Sequence, residues 1–205
     1  MSLFEDQYRT INAPSEGTFR DKGSRFIAYS YPFTDENKLK DILSDIKSSH
    51  PKARHHCYAY RLGMDRSVFR INDDNEPAGS AGRPILNTLL SNDLTNILVI
   101  VVRYFGGTLL GIPGLINAYK LATQESINNA TIIEKYQKDI YRIDFDYLQM
   151  NNVMRIIKDE SLDIQSQNFD NNCKMEIAIR TSLVNQITSN LSTLPNIKLK
   201  YLKTI

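Results

Sequence analysis

The segment NILVIVVRYFGGTLLGIPGLINAY, residues 96–119, joins the most apolar stretch of the chain to a turn that contains four of its nine glycines. Apart from Asn96, its first seven residues are apolar without alternation, which is typical of a strand covered on both faces at the centre of a sheet. Pro113 suits the first turn of a helix, and apolar spacing extends that helix to about Ala130. We therefore predict a central strand, a glycine-rich turn and a helix that begins at the turn.

The glycine-rich turn is the first candidate site. Backbone N–H groups beside the positive end of a helix commonly bind anions, and the forked guanidinium of Arg103 suits phosphate or carboxylate. The alternative is that glycine is needed only because the backbone there is left-handed or closely packed, and that Arg103 pairs with an acid. The turn contains neither the Gly-Lys-Ser/Thr of a Walker loop nor the G-x-G-x-x-G of a dinucleotide-binding turn.

The polar loop DDNEPAGSAG, residues 73–82, precedes the central strand. Its three acids can hold Mg²⁺, since hard cations prefer carboxylate oxygen, or they can cap backbone N–H groups in turns. We favour capping and internal pairing, because a magnesium site built from one loop usually needs a phosphate to complete it. Ser80 lies in Gly-Ser-Ala-Gly and not in the G-x-S-x-G of a nucleophile elbow, so no nucleophile is predicted.

A basic stretch surrounds the predicted strand RHHCYAYRL, residues 54–62. Five cations fall within nineteen residues against only Asp65, and these cations are Lys52, Arg54, Arg61, Arg66 and Arg70. They form either an anion-facing strip or the solvated edge of a sheet. His55, at the start of the strand, suits an acid–base group or a phosphate donor. Only His55 and Cys57 share a face of the strand, and two ligands do not make a zinc site.

Periodicity predicts the other N-terminal elements. SRFIAYSYPF, residues 24–33, predicts a strand. The next helix is expected to begin after an N-cap at Thr34, with an apolar face formed by Leu39, Ile42, Leu43 and Ile46. SVFRIN, residues 67–72, predicts a further strand, and Pro84 suits the start of a short helix.

The pattern changes after Glu134. Alternation predicts strands, and helical spacing predicts two helices between them, in the order β-α-β-β-α-β. This order is the split βαβ motif, in which the helices cover one face of the sheet and leave the other face open and charged. We therefore expect an α+β protein with a boundary near Glu134–Lys138 and domains at residues 1–134 and 135–205.

The composition is that of an ordinary globular protein, with 205 residues of which 41% are hydrophobic and 23% charged. A net charge of +2 is too small to indicate nucleic acid by itself. No apolar run reaches the roughly 18–20 residues of a membrane span, and the first residues lack the features of a signal peptide. Two distant cysteines make no disulfide framework. We expect a cytoplasmic protein without a membrane partner.

Two long motifs, DDNEPAGSAG and VVRYFGGTLLGIPGLINAY, resemble those of the IMPACT/YigZ family of uncharacterised cytoplasmic proteins. KGSRFIAY (22–29) and ARHHCYAYRLG (53–63) fit the same family, and the resemblance covers the whole chain. It implies a first domain like the left-handed βαβ domain of ribosomal and translation proteins. It also implies a ferredoxin-like second domain similar to those of elongation factor G, and a role in translation control or RNA binding.

The chain departs from the family pattern at a few positions. Asn75 stands at a usual glycine, but Asn tolerates left-handed backbone. Ala78 stands where a hydroxyl residue is common, and Ser80 replaces Thr. Pro113 replaces another glycine and removes one N–H from the predicted anion site.

The first functional hypothesis is a nucleic-acid or ribosome-associated protein linked to regulation of translation, with RNA or the ribosome as partner. The alternative is an enzyme or sensor for a small phosphorylated or carboxylated ligand, in which a Mg²⁺ ion with phosphate is the only cofactor considered. A third hypothesis, a protein-interaction face on the second sheet, is weaker than a plain solvated face. No catalytic residue is predicted, and the candidate anion-binding residues are His55, Arg61, Asp73, Asp74, Glu76, Gly79, Ser80, Gly82, Arg83, Arg103, Tyr104, Gly106, Gly107, Gly111 and Gly114.

Overall fold

The computed structural model describes residues 6–64, 67–169 and 173–205. They divide into two units, one from Tyr8 to Lys135 and the other from Tyr136 to Ile205 together with Asp6 and Gln7. The division falls close to the predicted boundary, and the identity of each part as a domain stays a prediction. Among the described residues, none of the helices combines the length and the apolar character that crossing a lipid bilayer requires.

The larger unit is built on a five-stranded antiparallel sheet in the order β2-β3-β6-β4-β5. Two further short strands, β1 and β7, pair with each other. The strands from Gln7 to Tyr136 are β1 (Gln7–Ile11), β2 (Ser15–Asp21), β3 (Ser24–Pro32), β4 (His55–Leu62), β5 (Val68–Asn72), β6 (Ile97–Tyr104) and β7 (Ile132–Tyr136). The helices are α1 (Leu39–Ser49), α2 (Gly82–Ser91) and α3 (Gly111–Asn128).

Strand β6 is the middle strand of this sheet and is buried on both faces, as its unbroken apolar pattern predicts. Val99 and Val101 lie in the apolar cluster that contains residues of α2 and α3. Leu98, Ile100 and Val102 lie in a second cluster, which contains residues of α1. The unit therefore has three layers, with the sheet between α1 on one side and α2 and α3 on the other.

Helix α1 connects two strands that run parallel to each other. Both β3 and β4 are antiparallel to β6, which lies between them, so the segment β3-α1-β4 is a βαβ crossover. The predicted N-cap at Thr34 is wrong by one residue, because the side chain of Asp35 accepts a hydrogen bond from the backbone N–H of Asn37 at 3.0 Å. A short 3-10 turn, Glu36–Lys38, then leads into α1.

The smaller unit has the predicted order β-α-β-β-α-β. Its elements are β8 (Lys138–Phe145), α4 (Met150–Asp159), β9 (Asp163–Phe169), β10 (Cys173–Arg180), α5 (Val184–Ser192) and β11 (Lys198–Thr204). The antiparallel sheet has the order β11-β8-β10-β9, which places the first and third strands of the motif at its centre. Ile157 of α4 and Ile187 of α5 pack with Ile143 and Ile177 of the sheet. The predicted fold class, α+β with a ferredoxin-like second part, is confirmed.

Candidate functional site

Four segments meet at one end of the five-stranded sheet. β4 begins and β6 ends there, since the register places His55 opposite Arg103. β5 also ends there and leads into the acidic loop, and the turn between β2 and β3 lies beside the end of β6 because Arg25 pairs with Tyr104. Strand pairing thus brings the acidic loop, the histidine strand and the glycine turn together.

Glu76 and Arg103 form a buried ion pair behind the glycine turn. Arg103 donates from Nη1 to Glu76 Oε1 at 2.7 Å, and the two side chains are 7% and 3% exposed, Arg103 first. Tyr119 donates its hydroxyl to the same oxygen at 2.8 Å. Burial, reinforced by Cys57 and Glu76, raises the pKa of Tyr119, so the hydroxyl stays a donor. The charge of Arg103 is therefore paired with an acid inside the protein.

The carboxylate of Asp73 organises the acidic loop. Its Oδ1 accepts from the backbone N–H groups of Ala81 and Gly82 at 3.0 and 2.8 Å, and its Oδ2 accepts from that of Gly79 at 2.8 Å. Asp73 thereby satisfies N–H groups at the start of α2 that have no partner within the helix. Ser80 is buried and donates its hydroxyl to a carbonyl of the same loop at 2.6 Å, so it is not presented to a ligand.

Asp74 holds the start of the histidine strand. Its carboxylate accepts from the backbone N–H of His56 at 2.7 Å, and its carbonyl oxygen lies 2.9 Å from Nδ1 of His55. A carbonyl only accepts, so Nδ1 of His55 carries the proton and Nε2 is left for another partner. The neighbouring imidazole of His56 is buried, and this burial is the main cause that lowers its pKa.

The three acids of the loop therefore serve three different sets of partners. Asp73 binds loop amides, Asp74 binds the histidine strand and Glu76 binds Arg103 and Tyr119. Among the described residues, no group of three or more His, Cys, Asp or Glu side chains is arranged to hold a metal ion. Capping and internal pairing thus describe this loop.

The glycine turn is tightly packed at one residue and open at the next. A Cβ at Gly106 would lie 1.9 Å from the carbonyl carbon of Gly23 in the turn between β2 and β3. Gly107 and Gly111 have φ angles of +87° and +70°, in the left-handed region. Gly114 lies in the first turn of α3, whose N-cap residue, Leu110, makes no side-chain cap hydrogen bond. Close packing explains Gly106, and left-handed backbone explains Gly107 and Gly111.

A groove of about 420 Å³ opens in front of this turn. We call it the basic groove, and its lining residues are Lys52, Arg54, His55, Arg103, Tyr104, Phe105 and Leu109. Lys52 and Arg54 are exposed, and in the described part of the chain neither has a carboxylate within 4.0 Å. Phe105 and Leu109 are 53% and 83% exposed. The groove presents cations beside an apolar ring, which suits an anion with an aromatic part.

His50 orients the tyrosine on the wall of the basic groove. Its Nδ1 lies 2.8 Å from the hydroxyl of Tyr104, and its Nε2 lies 2.8 Å from that of Tyr29. A neutral imidazole has one donor and one acceptor nitrogen, so one tyrosine donates to the ring and the other accepts from it. Both ring nitrogens of His50 are therefore used, and the position of Tyr104 is set from the α1 side of the sheet.

Comparison with known proteins identifies the family. The family described as Impact N-terminal domain matches residues 22–127. The chain belongs to the IMPACT family. An IMPACT family member from Haemophilus influenzae is 34% identical over 173 residues, which cover 83% of this chain and 84% of that protein. YvyE, an IMPACT family member from Bacillus subtilis, is 28% identical over 92% of this chain and 87% of its own length.

A solved structure extends the similarity over the whole chain. A crystal structure described only as that of a hypothetical protein matches 98% of this IMPACT chain and 99% of its own, with 26% sequence identity and a TM-score of 0.74. Both units of the fold are therefore shared with a crystallised protein. Its description names no activity, so the function must be argued from the site.

Arg61 does not lie at the site of this IMPACT-family chain. It pairs with Ile97 at the opposite end of β4, is 1% exposed and donates to the carbonyl oxygen of Leu94 at 2.9 Å. The sequence-based assignment of Arg61 to the anion site is therefore wrong, because antiparallel pairing with β6 separates it from His55 by the length of the strand. Because Arg61 is buried, the basic stretch does not form one exposed surface. Arg70 is exposed on β5, and Arg66 lies outside the described residues.

The other predicted residues fall into three groups, and the first of these, Asp73, Asp74, Glu76, Ser80 and Gly82, has the internal partners described above. His55, Arg103, Tyr104 and the glycine turn lie at the basic groove, whereas Gly79 and Arg83 line a separate groove between α2 and α3. Sequence reasoning missed Phe105 and Leu109, whose apolar character resembled core residues. The signal that marks them is their position beside glycines after the buried strand has ended, where a side chain has no layer to pack against.

Proposed function

We propose that this protein binds RNA, with the basic groove holding a single-stranded segment. The observation that supports the proposal is the combination of Lys52, Arg54 and the exposed ring of Phe105 on one surface. Single-stranded nucleic acid is recognised by cations that follow the phosphates and by aromatic side chains on which bases stack. The groove offers both kinds of contact within a short distance.

The phosphate contacts are assigned to Lys52 and Arg54, since Nε2 of His55 is an acceptor when Nδ1 donates to Asp74. Arg103 is unsuited to this role because Glu76 already neutralises its charge. Lys52 and Arg54 are exposed and have no ion-pair partner in the described part of the chain. With two phosphates neutralised, the logarithm of the binding constant should fall with the logarithm of salt concentration with a slope of about −1.4.

Phe105 is assigned as the stacking platform. Its ring is 53% exposed, and the guanidinium carbon of Arg103 lies 5.6 Å from its centroid. The buried Arg103 thus supports the ring from the protein side, a contact that holds the side chain in place. Stacking of one base on such a ring is worth about 1–3 kcal/mol.

The cellular role that we propose is regulation of translation in the cytoplasm, with ribosomal RNA as the target. This part of the proposal rests on the family resemblance of the two glycine-containing motifs. The groove geometry supports RNA binding in general and is neutral about which RNA is bound.

A small phosphorylated or carboxylated ligand is the second candidate. The observation in its favour is the start of α3, where the N-cap residue, Leu110, offers no side-chain cap to the first backbone N–H groups. Uncapped amides at a helix N-terminus attract anions. Pro113 contributes no N–H, so this anion site is poorer than the family pattern suggests.

The test is a titration of a fluorescent single-stranded RNA and of a structured ribosomal RNA fragment with the full chain, at low and at physiological salt. We expect saturable binding that weakens with salt. Lys52→Ala/Arg54→Ala and Phe105→Ala should each weaken it roughly tenfold, since each removes about 1.4 kcal/mol or more. The matched control is Lys38→Ala/Lys40→Ala, which removes the same charge from exposed positions near the start of α1.

The outcomes separate the two candidates. Equal weakening by the control pair would show that binding follows net charge alone and would overturn the assignment to the groove. Absence of RNA binding at low salt, where phosphate contacts are strongest, together with a rise in thermal stability on adding inorganic phosphate, would favour the small-anion alternative.

A further inference from the structure

The second groove of the larger unit has a different chemistry from the basic groove. It lies between α2 and α3 and has a volume of about 380 Å³. We call it the helical groove, and its lining residues are Gly79, Arg83, Pro84, Asn87, Thr88, Ser91, Ile116 and Lys120. It has an apolar wall and two cations, and neither an acidic nor an aromatic residue lines it.

The apolar part of the helical groove continues onto the surface of α3. Ile116 is 40% exposed and Ile112, one turn earlier on the same face, is 54% exposed. Pro84 is buried beneath the groove. Large aliphatic side chains left open to water on one helix face form a surface that gains free energy when an apolar group covers it.

The two cations are available for an external partner. Arg83 and Lys120 are exposed, and within the described ranges neither lies within 4.0 Å of a carboxylate. The hydroxyl protons of Thr88 and Ser91 are already used inside the protein, since each hydroxyl donates to a carbonyl of α2. The exposed amide of Asn87 lies on the same helix, one turn after Arg83, and can both donate to and accept from a peptide backbone.

We propose that the helical groove binds an acidic segment of a partner protein, which inserts one large apolar side chain against Ile116 and places carboxylates near Arg83 and Lys120. Charge complementarity selects this occupant, because two unpaired cations frame an apolar wall. RNA is disfavoured here, because a base would find no aromatic ring to stack on. This inference is independent of the RNA-binding proposal, which uses other residues.

The experiment is selection of random 12-residue peptides displayed on phage against the full chain, followed by anisotropy titration of enriched, labelled peptides. We expect enriched sequences to combine Asp or Glu with Leu, Ile, Met or Phe. Arg83→Glu/Lys120→Glu and Ile116→Ser should each weaken binding by about tenfold or more. Lys38→Glu/Lys40→Glu is the matched charge control and should leave the affinity within about twofold. Circular dichroism and thermal melting establish that each variant is folded.

Several outcomes would overturn the proposal. The proposal is wrong if the selection enriches basic or wholly polar peptides, or if it enriches no peptide. It is also wrong if Lys38→Glu/Lys40→Glu weakens peptide binding as much as Arg83→Glu/Lys120→Glu does. Arg83→Ala/Lys120→Ala should bind RNA with the same affinity as Lys38→Ala/Lys40→Ala. If only Arg83→Ala/Lys120→Ala loses RNA affinity, the helical groove is part of an RNA-binding surface. If sedimentation shows a dimer of the wild-type chain that Ile116→Ser dissociates, the occupant is a second copy and the proposed partner is wrong.

Discussion

The side chain of Arg103 is of a kind that often binds ligands, but here its partner is inside the protein. Its guanidinium is suited to phosphate, and it directly precedes a glycine-rich turn. Yet Glu76, 27 positions earlier in the chain, supplies a carboxylate at 2.7 Å. Burial of this pair also holds the acidic loop against β6, and in the function proposed above Arg103 supports Phe105 while Lys52 and Arg54 contact the ligand.

The ion pair gives a prediction at the residue scale. Glu76→Gln keeps an oxygen for Tyr119 but leaves the buried guanidinium of Arg103 without a counter-charge. We expect it to lower the free energy of unfolding by about 3–5 kcal/mol, as measured by urea denaturation. Arg103→Met should also destabilise the chain, and the double variant should cost less than the sum of the two single changes. Additive costs would show that the two side chains are not energetically coupled.

At the scale of elements, the glycine turn and the β2–β3 turn form one packed unit. Gly106 touches the backbone of Gly23, and its N–H donates to Oγ of Ser24 at 3.1 Å. The motif at residues 22–29 therefore packs directly against the motif at residues 101–119. Asp73 has a comparable role at the start of α2, where its carboxylate accepts hydrogen bonds from three backbone N–H groups.

Two neighbouring glycines provide the prediction for this element. Gly106→Ala places a Cβ 1.9 Å from backbone of the adjoining turn, so we expect a loss of about 3 kcal/mol or more because the turns must separate. Gly107→Ala meets no atom within 4 Å and should cost only about 1–2 kcal/mol for its left-handed φ. Thermal and urea unfolding of both variants test this order. Similar losses for the two would contradict the packing account.

At the scale of the whole molecule, the described part of the chain begins with a residue that belongs to the smaller unit. Asp6 accepts hydrogen bonds from Arg180 at 2.9 Å and from the hydroxyl of Ser182 at 2.6 Å. Burial alone would raise the pKa of Asp6, but these bonds and the charge of Arg180 outweigh it and lower the pKa to about 2. The charged carboxylate of Asp6 thus binds this N-terminal residue of the described chain to Arg180 and Ser182 of the same unit.

The Asp6 cluster predicts a pH dependence of stability. The pKa of Asp6 is lowered on folding from 3.8 to about 2, so its stabilisation is complete above pH of about 5 and is lost as pH falls towards 2. Asp6→Asn should cost about 1.5–3 kcal/mol at neutral pH. The difference in melting temperature between wild type and variant should shrink below pH of about 4. A difference that persists unchanged at the lowest pH would show that the carboxylate charge is not responsible.

The sequence by itself determined the central strand and the βαββαβ order, and it favoured a capping role for the acidic loop over a metal site. These follow from local rules, since an unbroken apolar run, alternation and turn residues are properties of neighbouring positions. Strands β1 and β7 were missed because they are short and pair with each other from distant positions in the chain, and β2 was missed because most of its residues are polar. Only the tertiary structure decided that Arg103 faces Glu76, that Arg61 lies at the far end of β4, and that some candidate residues lie at two separate grooves while others have internal partners. Strand register decides such proximities, and register is set by contacts between residues distant in the sequence.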